Sequence, residues 1–256
     1  MSLKIEYITS DKNTRIKDLL FRKDELFVFE GEKLVMDIMR KEAVPDLLIV
    51  NKVHQEVYEL VSKKGIPVWE VTEKVMKKLS SLKNPPSMIA IYEQIPTETS
   101  IFRNSMVIAV DTFQDPGNLG SIFRCAAAFG IRSIALVGEC VRLTNTKFLR
   151  AAQNSVFYPS VKRFDSLEGF LTEAIEKKFN IYLTSSHRTG SSILIKDVMS
   201  PAVIVLGNEG RGVNDKFLNE HPVISIRQTD LVESLNAGIS GCILMNLVSE
   251  HLALIE

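Results

Sequence analysis

Three short loops, each directly after an apolar run, gather the glycine, amide, acidic and basic residues that could carry chemistry. The first reads Asp111-Thr112-Phe113-Gln114-Asp115-Pro116-Gly117-Asn118-Leu119-Gly120 and precedes a segment that contains Arg124. An amide and a guanidinium can orient a substrate and stabilise negative charge that develops on oxygen. Glycines between a strand and a helix also let a ligand approach the backbone. Taken alone, the loop is equally typical of a plain glycine turn.

The second loop is Leu206-Gly207-Asn208-Glu209-Gly210-Arg211-Gly212. Its three glycines are more than a turn requires, because glycine loses more conformational freedom on folding than any other residue. The sequence therefore predicts a close approach to the backbone here. Glu209 could accept hydrogen bonds from a ribose or from the first loop, and Arg211 could contact a phosphate. The alternative is a surface ion pair of little energetic value.

The third loop comprises Ser225-Ile226-Arg227-Gln228 and Glu233-Ser234-Leu235-Asn236, and an apolar segment follows it. Ser234 could serve only to cap the helix that this segment predicts. Gly238 and Gly241 would each cost that helix about 1 kcal/mol relative to alanine. We therefore expect a backbone or a ligand to pack tightly against that face of the helix.

Several familiar sites are missing from the sequence. It has neither a GxGxxG fingerprint nor a GKS/T phosphate loop, which argues against a nucleotide-dependent oxidoreductase. Three cysteines without CxxC spacing indicate neither a disulfide framework nor a zinc knuckle, and Cys125 is expected to be buried. The histidines are scattered without ligand partners, so no metal is expected at His54, His187, His221 or His251.

Alternating apolar strands and helices surround the three loops. Strands are predicted at residues 106–110, 133–137, 181–184, 203–206 and 223–226, and helices at 119–129, 147–152, 166–178 and 235–254. Such alternation indicates an α/β fold with a mostly parallel sheet covered by helices on both faces. A smaller α/β unit precedes it, with an edge strand at residues 67–70. We predict domains at residues 1–87 and 105–256, joined by a linker over 88–104.

Composition narrows the function classes. The chain has 256 residues, 45% of them hydrophobic, which excludes a disordered or collagen-like protein. Its 31 basic and 31 acidic side chains cancel, so any nucleic-acid footprint must be local. One candidate is a basic cluster that faces only Asp18 within residues 12–23, although it could also be an ordinary solvated surface: Lys12, Arg15, Lys17, Arg22 and Lys23. No run reaches signal-peptide or membrane-spanning length, so a cytoplasmic protein without a membrane partner is expected.

Together, the three loops resemble in content, order and spacing the three motifs of the SpoU (TrmH-like) RNA 2′-O-ribose methyltransferases of the SPOUT superfamily. The resemblance covers about residues 106–255. The segment around Arg15-Ile16-Lys17 and Phe29-Glu30-Gly31 resembles the N-terminal substrate-binding domain of that family, which is similar to kink-turn-binding ribosomal proteins. The resemblance implies a trefoil knot in the C-terminal domain. It also implies a homodimer formed through that domain.

The resemblance further implies that S-adenosylmethionine is bound in a bent form by the backbone of the second and third motifs. Its adenosine is expected near four residues, with two polar neighbours: Leu206, Gly207, Ile226 and Leu235, then Ser234 and Asn236. The third motif departs from the usual isoleucine-proline-methionine at Arg227-Gln228, which would alter the wall of the pocket. Residues 150–154 also lack the serine-glycine pair that is common in the family.

In that family the residue matching Arg124 is assigned to catalysis. Because a guanidinium stays protonated, we interpret Arg124 as an electrostatic clamp on the oxyanion or a phosphate rather than as a base. Asn118 would orient Arg124 or the ribose, and Glu209 would hold both of those side chains. The basic cluster and Arg211 would bind RNA, and ribosomal RNA is favoured over transfer RNA. The alternative is an inactive RNA-binding or ribosome-assembly factor that keeps the fold.

Overall fold

The computed structural model describes residues 5–41, 43–95, 100–185, 192–229 and 231–254. The described residues form two compact units. The first contains those up to Ile95 together with Leu143–Phe157, and the second contains those of Pro96–Arg142 and Tyr158–Glu256.

The first unit is built on a five-stranded sheet with the order β1-β4-β3-β5-β2, whose strands are β1 (Ile5–Ile8), β2 (Phe27–Glu30), β3 (Leu47–Val50), β4 (Val68–Val71) and β5 (Met88–Tyr92). Strand β5 runs antiparallel to β2 and β3, and the other pairs are parallel. The helices of this unit are α1 (Thr14–Phe21), α2 (Glu32–Arg40), α3 (Gln55–Lys64), α4 (Glu73–Leu79) and α6 (Thr146–Ala152).

Three predictions about this unit are wrong. The predicted second domain over 105–256 includes Leu143–Phe157, which belong to the first unit. All five residues of β5 are buried between β2 and β3, so the predicted linker over 88–104 begins inside the sheet. Residues 96–99 of that linker lie outside the described residues. Strand β4 is not at the edge of the sheet, because β1, which the sequence pattern did not reveal, pairs with it in parallel.

The second unit contains a seven-stranded sheet in which every pair of neighbours is parallel. Its order is β10-β12-β9-β11-β6-β7-β8, and its strands are β6 (Met106–Asp111), β7 (Ser133–Val137), β8 (Ser160–Phe164), β9 (Asn180–Thr184), β10 (Ser192–Ile193), β11 (Ala202–Leu206) and β12 (Val223–Ile224). Its helices are α5 (Pro116–Ala128), α7 (Leu167–Glu176), α8 (Asp215–Glu220) and α9 (Ala237–His251). The predicted fold class is confirmed, and the trefoil knot stays a prediction.

The middle of the second sheet explains why the first and second loops lie next to each other. Strands β6 and β11 are rich in valine, isoleucine and alanine and are buried, as expected for parallel strands covered on both faces. They pair with Leu206 opposite Val110, although almost a hundred residues separate them in the chain. Ligands of open α/β sheets bind outside the carboxyl ends of the strands. The loops after β6 and β11 therefore begin side by side at the edge where a ligand is expected.

No helix in the described part of the chain is long and apolar enough to span a membrane.

Candidate functional site

The first loop is fixed by backbone hydrogen bonds and by the start of α5. The Thr112 amide donates to the Val137 carbonyl at 2.9 Å, and the Val141 amide donates to the Phe113 carbonyl at 2.9 Å. Asp115 caps α5, because its Oδ1 accepts from the Asn118 amide at 2.7 Å. Pro116 suits the first helical turn, where its missing amide hydrogen would have no partner in the helix.

Glu209 joins the second loop to the first. Its carboxylate accepts from the Gln114 amide at 3.2 Å and from the Asp115 amide at 3.1 Å. A third donor is the Asn118 side-chain amide, whose Nδ2 lies 3.3 Å from Oε1 of Glu209. Hydrogen bonds to a charged acceptor are stronger than neutral ones, so these contacts fix the two loops against each other.

Within the second loop, the side chain of Asn208 makes hydrogen bonds with three backbone groups. Its Nδ2 donates to the Thr112 carbonyl at 2.8 Å, and its Oδ1 accepts from the amides of Gly210 at 2.9 Å and Arg211 at 3.1 Å. A Cβ on Gly207 would lie 2.4 Å from backbone atoms of Gly212 and Val213. The close approach predicted for the glycines is therefore, at Gly207, an approach of the loop's own backbone.

Helix α9 packs closely on α5, and the expected close approach of a backbone is found at Gly238, whereas Gly241 meets side chains. A Cβ on Gly238 would lie 3.0 Å from Oδ1 of Asn118, and one on Gly241 would lie 2.5 Å from Cδ1 of Ile122. Asn236 rather than Ser234 caps α9, because its Oδ1 accepts from the Ile239 amide at 3.1 Å.

A cavity of about 330 Å³ opens between the second and third loops and the end of β9. Its volume lies in the range of small-molecule sites. Six residues singled out from the sequence line it: Gly207, Glu209, Arg211, Ile226, Ser234 and Leu235. Gln228 also lines it and donates from Nε2 to the Glu233 carbonyl at 3.2 Å, so the departure from the family pattern does reach this wall.

The remaining predicted residues lie beside the cavity or away from it. Leu206 is buried at the end of β11, where its Cδ1 would lie 2.7 Å from a Cβ on Gly241. Asn236 and Asn118 occupy the helix starts described above. Arg124 is exposed on α5, six residues after Asn118. Because each residue turns an α-helix by about 100°, the side chains of Asn118 and Arg124 leave different sides of α5. Among the described residues, no recorded hydrogen bond or ion pair joins Arg124 to Asn118 or Glu209.

Sequence reasoning missed several lining residues. Thr184 ends β9, the strand next to β11, Ser185 follows it, and Asp215 begins α8. The rule that ligands meet the carboxyl ends of parallel strands could have identified Thr184, since its strand was predicted. Nothing in the sequence pattern indicated α8.

The carboxyl end of β6 also holds two groups with shifted pKa values. Burial raises the pKa of Asp111, and a hydrogen bond from Thr112 Oγ1 at 2.9 Å opposes that shift. Burial raises the pKa of the Cys140 thiol, whose Sγ donates to the Val137 carbonyl at 3.3 Å. A thiol held in this way is a poor nucleophile.

The cysteine expectation is wrong for the other two cysteines. Cys125 on α5 and Cys242 on α9 form a disulfide with a Cα–Cα distance of 5.6 Å, and both are half-buried. The pairing follows from the packing of two helices whose cysteines are 117 residues apart, which spacing alone does not reveal. The described residues contain no cluster of three or more histidine, cysteine, aspartate and glutamate side chains that could hold a metal, and His187 lies outside them.

In the first unit, the predicted basic cluster is largely paired. Arg15 forms an ion pair with Glu6, and Arg22 Nη2 lies 3.1 Å from Oε1 of Glu93. Lys23 donates from Nζ to the Leu79 carbonyl at 2.6 Å. The cluster therefore faces more carboxylates than Asp18, because β1 and the end of β5 bring Glu6 and Glu93 beside it. Lys12 and Lys17 are exposed, and no side-chain partner is recorded for either within the described residues.

Comparison with known proteins gives the family. The model described as the SpoU rRNA Methylase family matches residues 105–246, and the MRM3-like substrate binding domain matches residues 15–90. Over 250 residues, the chain is 28% identical to the 23S rRNA (guanosine(2553)-2′-O)-methyltransferase RlmP of Bacillus subtilis, covering 94% of this chain and 98% of that protein.

Two solved structures of an rRNA methyltransferase from Sinorhizobium meliloti are similar over the whole length. One superposes with a TM-score of 0.81 at 27% identity, covering 97% of this chain and 99% of that one. The other, described as bound to AdoMet, has a TM-score of 0.81 at 26% identity and covers 97% and 98% of the two chains. Since the family model matches more than half of the residues, with the three loops inside the match, the chain belongs to the SpoU rRNA methylase family.

Proposed function

We propose that this protein transfers a methyl group from S-adenosylmethionine to the 2′-hydroxyl of a ribose in ribosomal RNA. The observation that carries the proposal is the cavity at the strand ends, whose second loop is tied to the first loop through Glu209. The relative from Bacillus subtilis is named for this reaction on 23S rRNA, which supports the substrate class. That substrate would place the enzyme with the ribosomes, in the cytoplasm.

The residues of the cavity fit S-adenosylmethionine. An adenine ring needs an apolar wall, which Ile224, Ile226 and Leu235 provide. A ribose and a methionine ammonium need acceptors, and the lining contains the carboxylates of Asp215 and Glu233. We assign the adenosine end to the backbone at Gly207 and to Ile226 and Leu235, with Ser234 beside them. Leu206 supports the pocket by packing on α9, and Asn236 supports it by capping that helix.

When bound, S-adenosylmethionine supplies an electrophilic methyl group on a sulfonium. The chain must then hold the ribose oxygen in line with that group, and orientation of this kind supplies much of the rate enhancement. We assign the orientation of the ribose to Asn118, whose side chain is itself held by Glu209. Glu209, on the second loop, is the residue that positions the first loop.

We assign to Arg124 the stabilisation of the negative charge that develops on the ribose oxygen. Its guanidinium stays protonated, so it can stabilise an oxyanion or an adjacent phosphate, while the hydroxyl proton passes to phosphate or solvent. The exposure of Arg124 suits contact with a large substrate. Arg211 lines the cavity, and we assign it to binding a phosphate of the RNA.

For the RNA contacts of the first unit, Lys12 and Lys17 are the strongest candidates, because their ammonium groups are exposed and have no recorded partner among the described residues. Arg15 and Arg22 would have to exchange Glu6 and Glu93 for phosphates. Lys23 is the weakest candidate, since its ammonium already donates to a backbone carbonyl.

A homodimer through α9 is also proposed. Ile239, Ile243 and Leu247 are exposed at four-residue spacing, so they form one apolar row along the helix. A second copy that pairs along this row would bury all three side chains in a two-fold interface. The row predicts a change of oligomeric state for Ile243→Glu, measurable by light scattering.

The function is tested by titrating the protein with S-adenosylmethionine in a calorimeter and assaying methyl transfer to ribosomal RNA. We expect binding of one donor per chain and methylation at a ribose, mapped by comparing RNA from cells with and without the protein. Absence of donor binding would contradict the proposal and favour an assembly factor. Methylation of a base instead of a ribose would contradict the assigned reaction.

A further inference from the structure

Helix α1 carries an exposed aromatic ring that does not pack into the core of the first unit. Phe21, the last residue of the helix, has a relative exposure of 90%. The apolar side of α1 is already occupied, because Ile16 is completely buried and Leu19 and Leu20 pack against the core of the first unit. Phe21 therefore lies outside that core.

Two cationic side chains flank Phe21, although Asp18 also lies on α1, three residues before it. Lys17 lies one helical turn before it, four residues away, so the two exposed side chains share a face of α1. Arg22 follows directly, and its side chain stays 42% exposed although it pairs with Glu93. Single exposed apolar residues are common on protein surfaces, so the position of these charges beside the ring is the informative feature.

Other exposed aromatic residues of the first unit have acidic neighbours instead. Tyr7 follows Glu6 on β1 and lies opposite Glu70 in the register of β1 with β4. Tyr58 on α3 precedes Glu59 and is 50% exposed. Neither tyrosine has a lysine or an arginine next to it in sequence, as Phe21 has in Arg22, or a lysine one helical turn away, as Phe21 has in Lys17.

An exposed ring flanked by cations suits single-stranded RNA. Unpaired bases stack on aromatic side chains, and lysine or arginine neutralises the neighbouring phosphates. A protein partner fits less well, because the cores of protein interfaces are depleted in lysine. We propose that Phe21 stacks on an unpaired base of the RNA substrate while Lys17 contacts an adjacent phosphate.

This inference rests on the proposed function, and it adds a residue that distinguishes unpaired from paired nucleotides of the RNA. A base that is held in a duplex cannot stack on Phe21 without being extruded. The protein would thus favour RNA with an unpaired nucleotide near the bound segment. The site lies within the residues matched by the substrate binding domain model.

The test measures binding of the full-length protein to deproteinised ribosomal RNA by filter retention at several salt concentrations. We expect Phe21→Ala to weaken binding at least 5-fold, Phe21→Leu to weaken it similarly, and Phe21→Trp to retain the affinity, because stacking needs a flat ring. The slope of affinity against salt should not change, since no phosphate contact is lost. Tyr58→Ala is the matched control and should bind as the parent does.

The outcomes separate this inference from the proposed function. If the parent binds donor and methylates RNA but Phe21→Ala binds RNA equally well, the stacking role is wrong and the function stands. Full affinity in Phe21→Leu would also overturn stacking, because an aliphatic side chain can only pack. A change of oligomeric state in Phe21→Ala with unaltered RNA affinity would assign the ring to a protein partner. A parent without donor binding or transfer would reject the proposed function itself.

Discussion

The two units place their polar groups in opposite ways. In the second unit, loops at the ends of parallel strands are held by backbone hydrogen bonds and by Glu209, which accepts from three donors of the first loop. In the first unit, the candidate contacts are long side chains on the surface of α1 and its flanks, and several are paired with nearby carboxylates. One region is built for fixed geometry, and the other for adaptable charge.

This difference matches the two tasks of the proposed reaction. Methyl transfer needs reacting atoms aligned to a fraction of an ångström, which only a rigid surround can supply. Binding a polyanion needs charge within reach, and phosphate contacts tolerate side-chain motion. Substitutions in the two units should therefore fail differently: those in the second should remove turnover, and those in the first should weaken RNA binding while the donor still binds.

The largest effect is expected for Arg124→Ala. Loss of the charge that stabilises the oxyanion should lower kcat at least 100-fold, in the range seen when one such donor is removed. Calorimetry should find the affinity for S-adenosylmethionine nearly unchanged, because Arg124 does not line the cavity. Arg132→Ala, another exposed arginine of the same unit, serves as the control. Normal turnover in Arg124→Ala would refute the clamp.

Gly207→Ala tests the rigidity of the second loop. The added Cβ would lie 2.4 Å from backbone atoms of Gly212 and Val213, which cannot move aside like a flexible side chain. The loop should shift, with a loss of about 1–3 kcal/mol of stability and a weaker affinity for S-adenosylmethionine of about 10-fold or more. Thermal unfolding and calorimetry measure the two effects. Gly210→Ala is the control for the loss of stability, since its Cβ would meet only Asn208 Oδ1 at 3.6 Å; Gly210 lines the cavity, so this variant does not control the affinity.

Glu209→Ala separates positioning from direct chemistry. Without the carboxylate, the amides of Gln114 and Asp115 lose their acceptor, so the first loop should loosen and kcat should fall about 10-fold. Hydrogen exchange at these two amides should rise in parallel, and Glu209→Gln should restore part of both. Faster exchange without a change in kcat would show that the order of this loop does not limit the reaction.

The contrast between the units also explains what the sequence could reveal. The three loops were recognisable because close backbone packing demands particular residues: Gly207 has room only for hydrogen, and Asp115 must cap α5. The parallel sheet followed from the apolar runs of β6, β7 and β11. Features of this kind are local, so a single sequence carries them.

Properties that depend on distant neighbours were not predictable in the same way. The disulfide between Cys125 and Cys242 exists because α5 packs on α9. The pairing of Arg15 with Glu6 depends on β1, which the sequence pattern did not reveal. Arg124 was expected beside Glu209; among the described residues the bond recorded from α5 to Glu209 comes from Asn118, and the role of Arg124 stays a prediction. Each error concerns a relation between elements rather than the identity of an element.

The smallest effect is expected from single lysines of the first unit, and it makes the comparison quantitative. Lys17→Ala should remove about one phosphate contact, lowering the slope of log affinity against log salt by about 1 and leaving affinity for S-adenosylmethionine unchanged. Lys23→Ala is its matched control, because Nζ of Lys23 donates to the Leu79 carbonyl at 2.6 Å and should not reach RNA. Equal slopes for the two variants and the parent would mean that α1 does not contact phosphate. A reduced slope for Lys23→Ala alone would mean that RNA binding breaks the hydrogen bond to Leu79. Lys23 would then contact a phosphate even though its ammonium has a partner in the free protein.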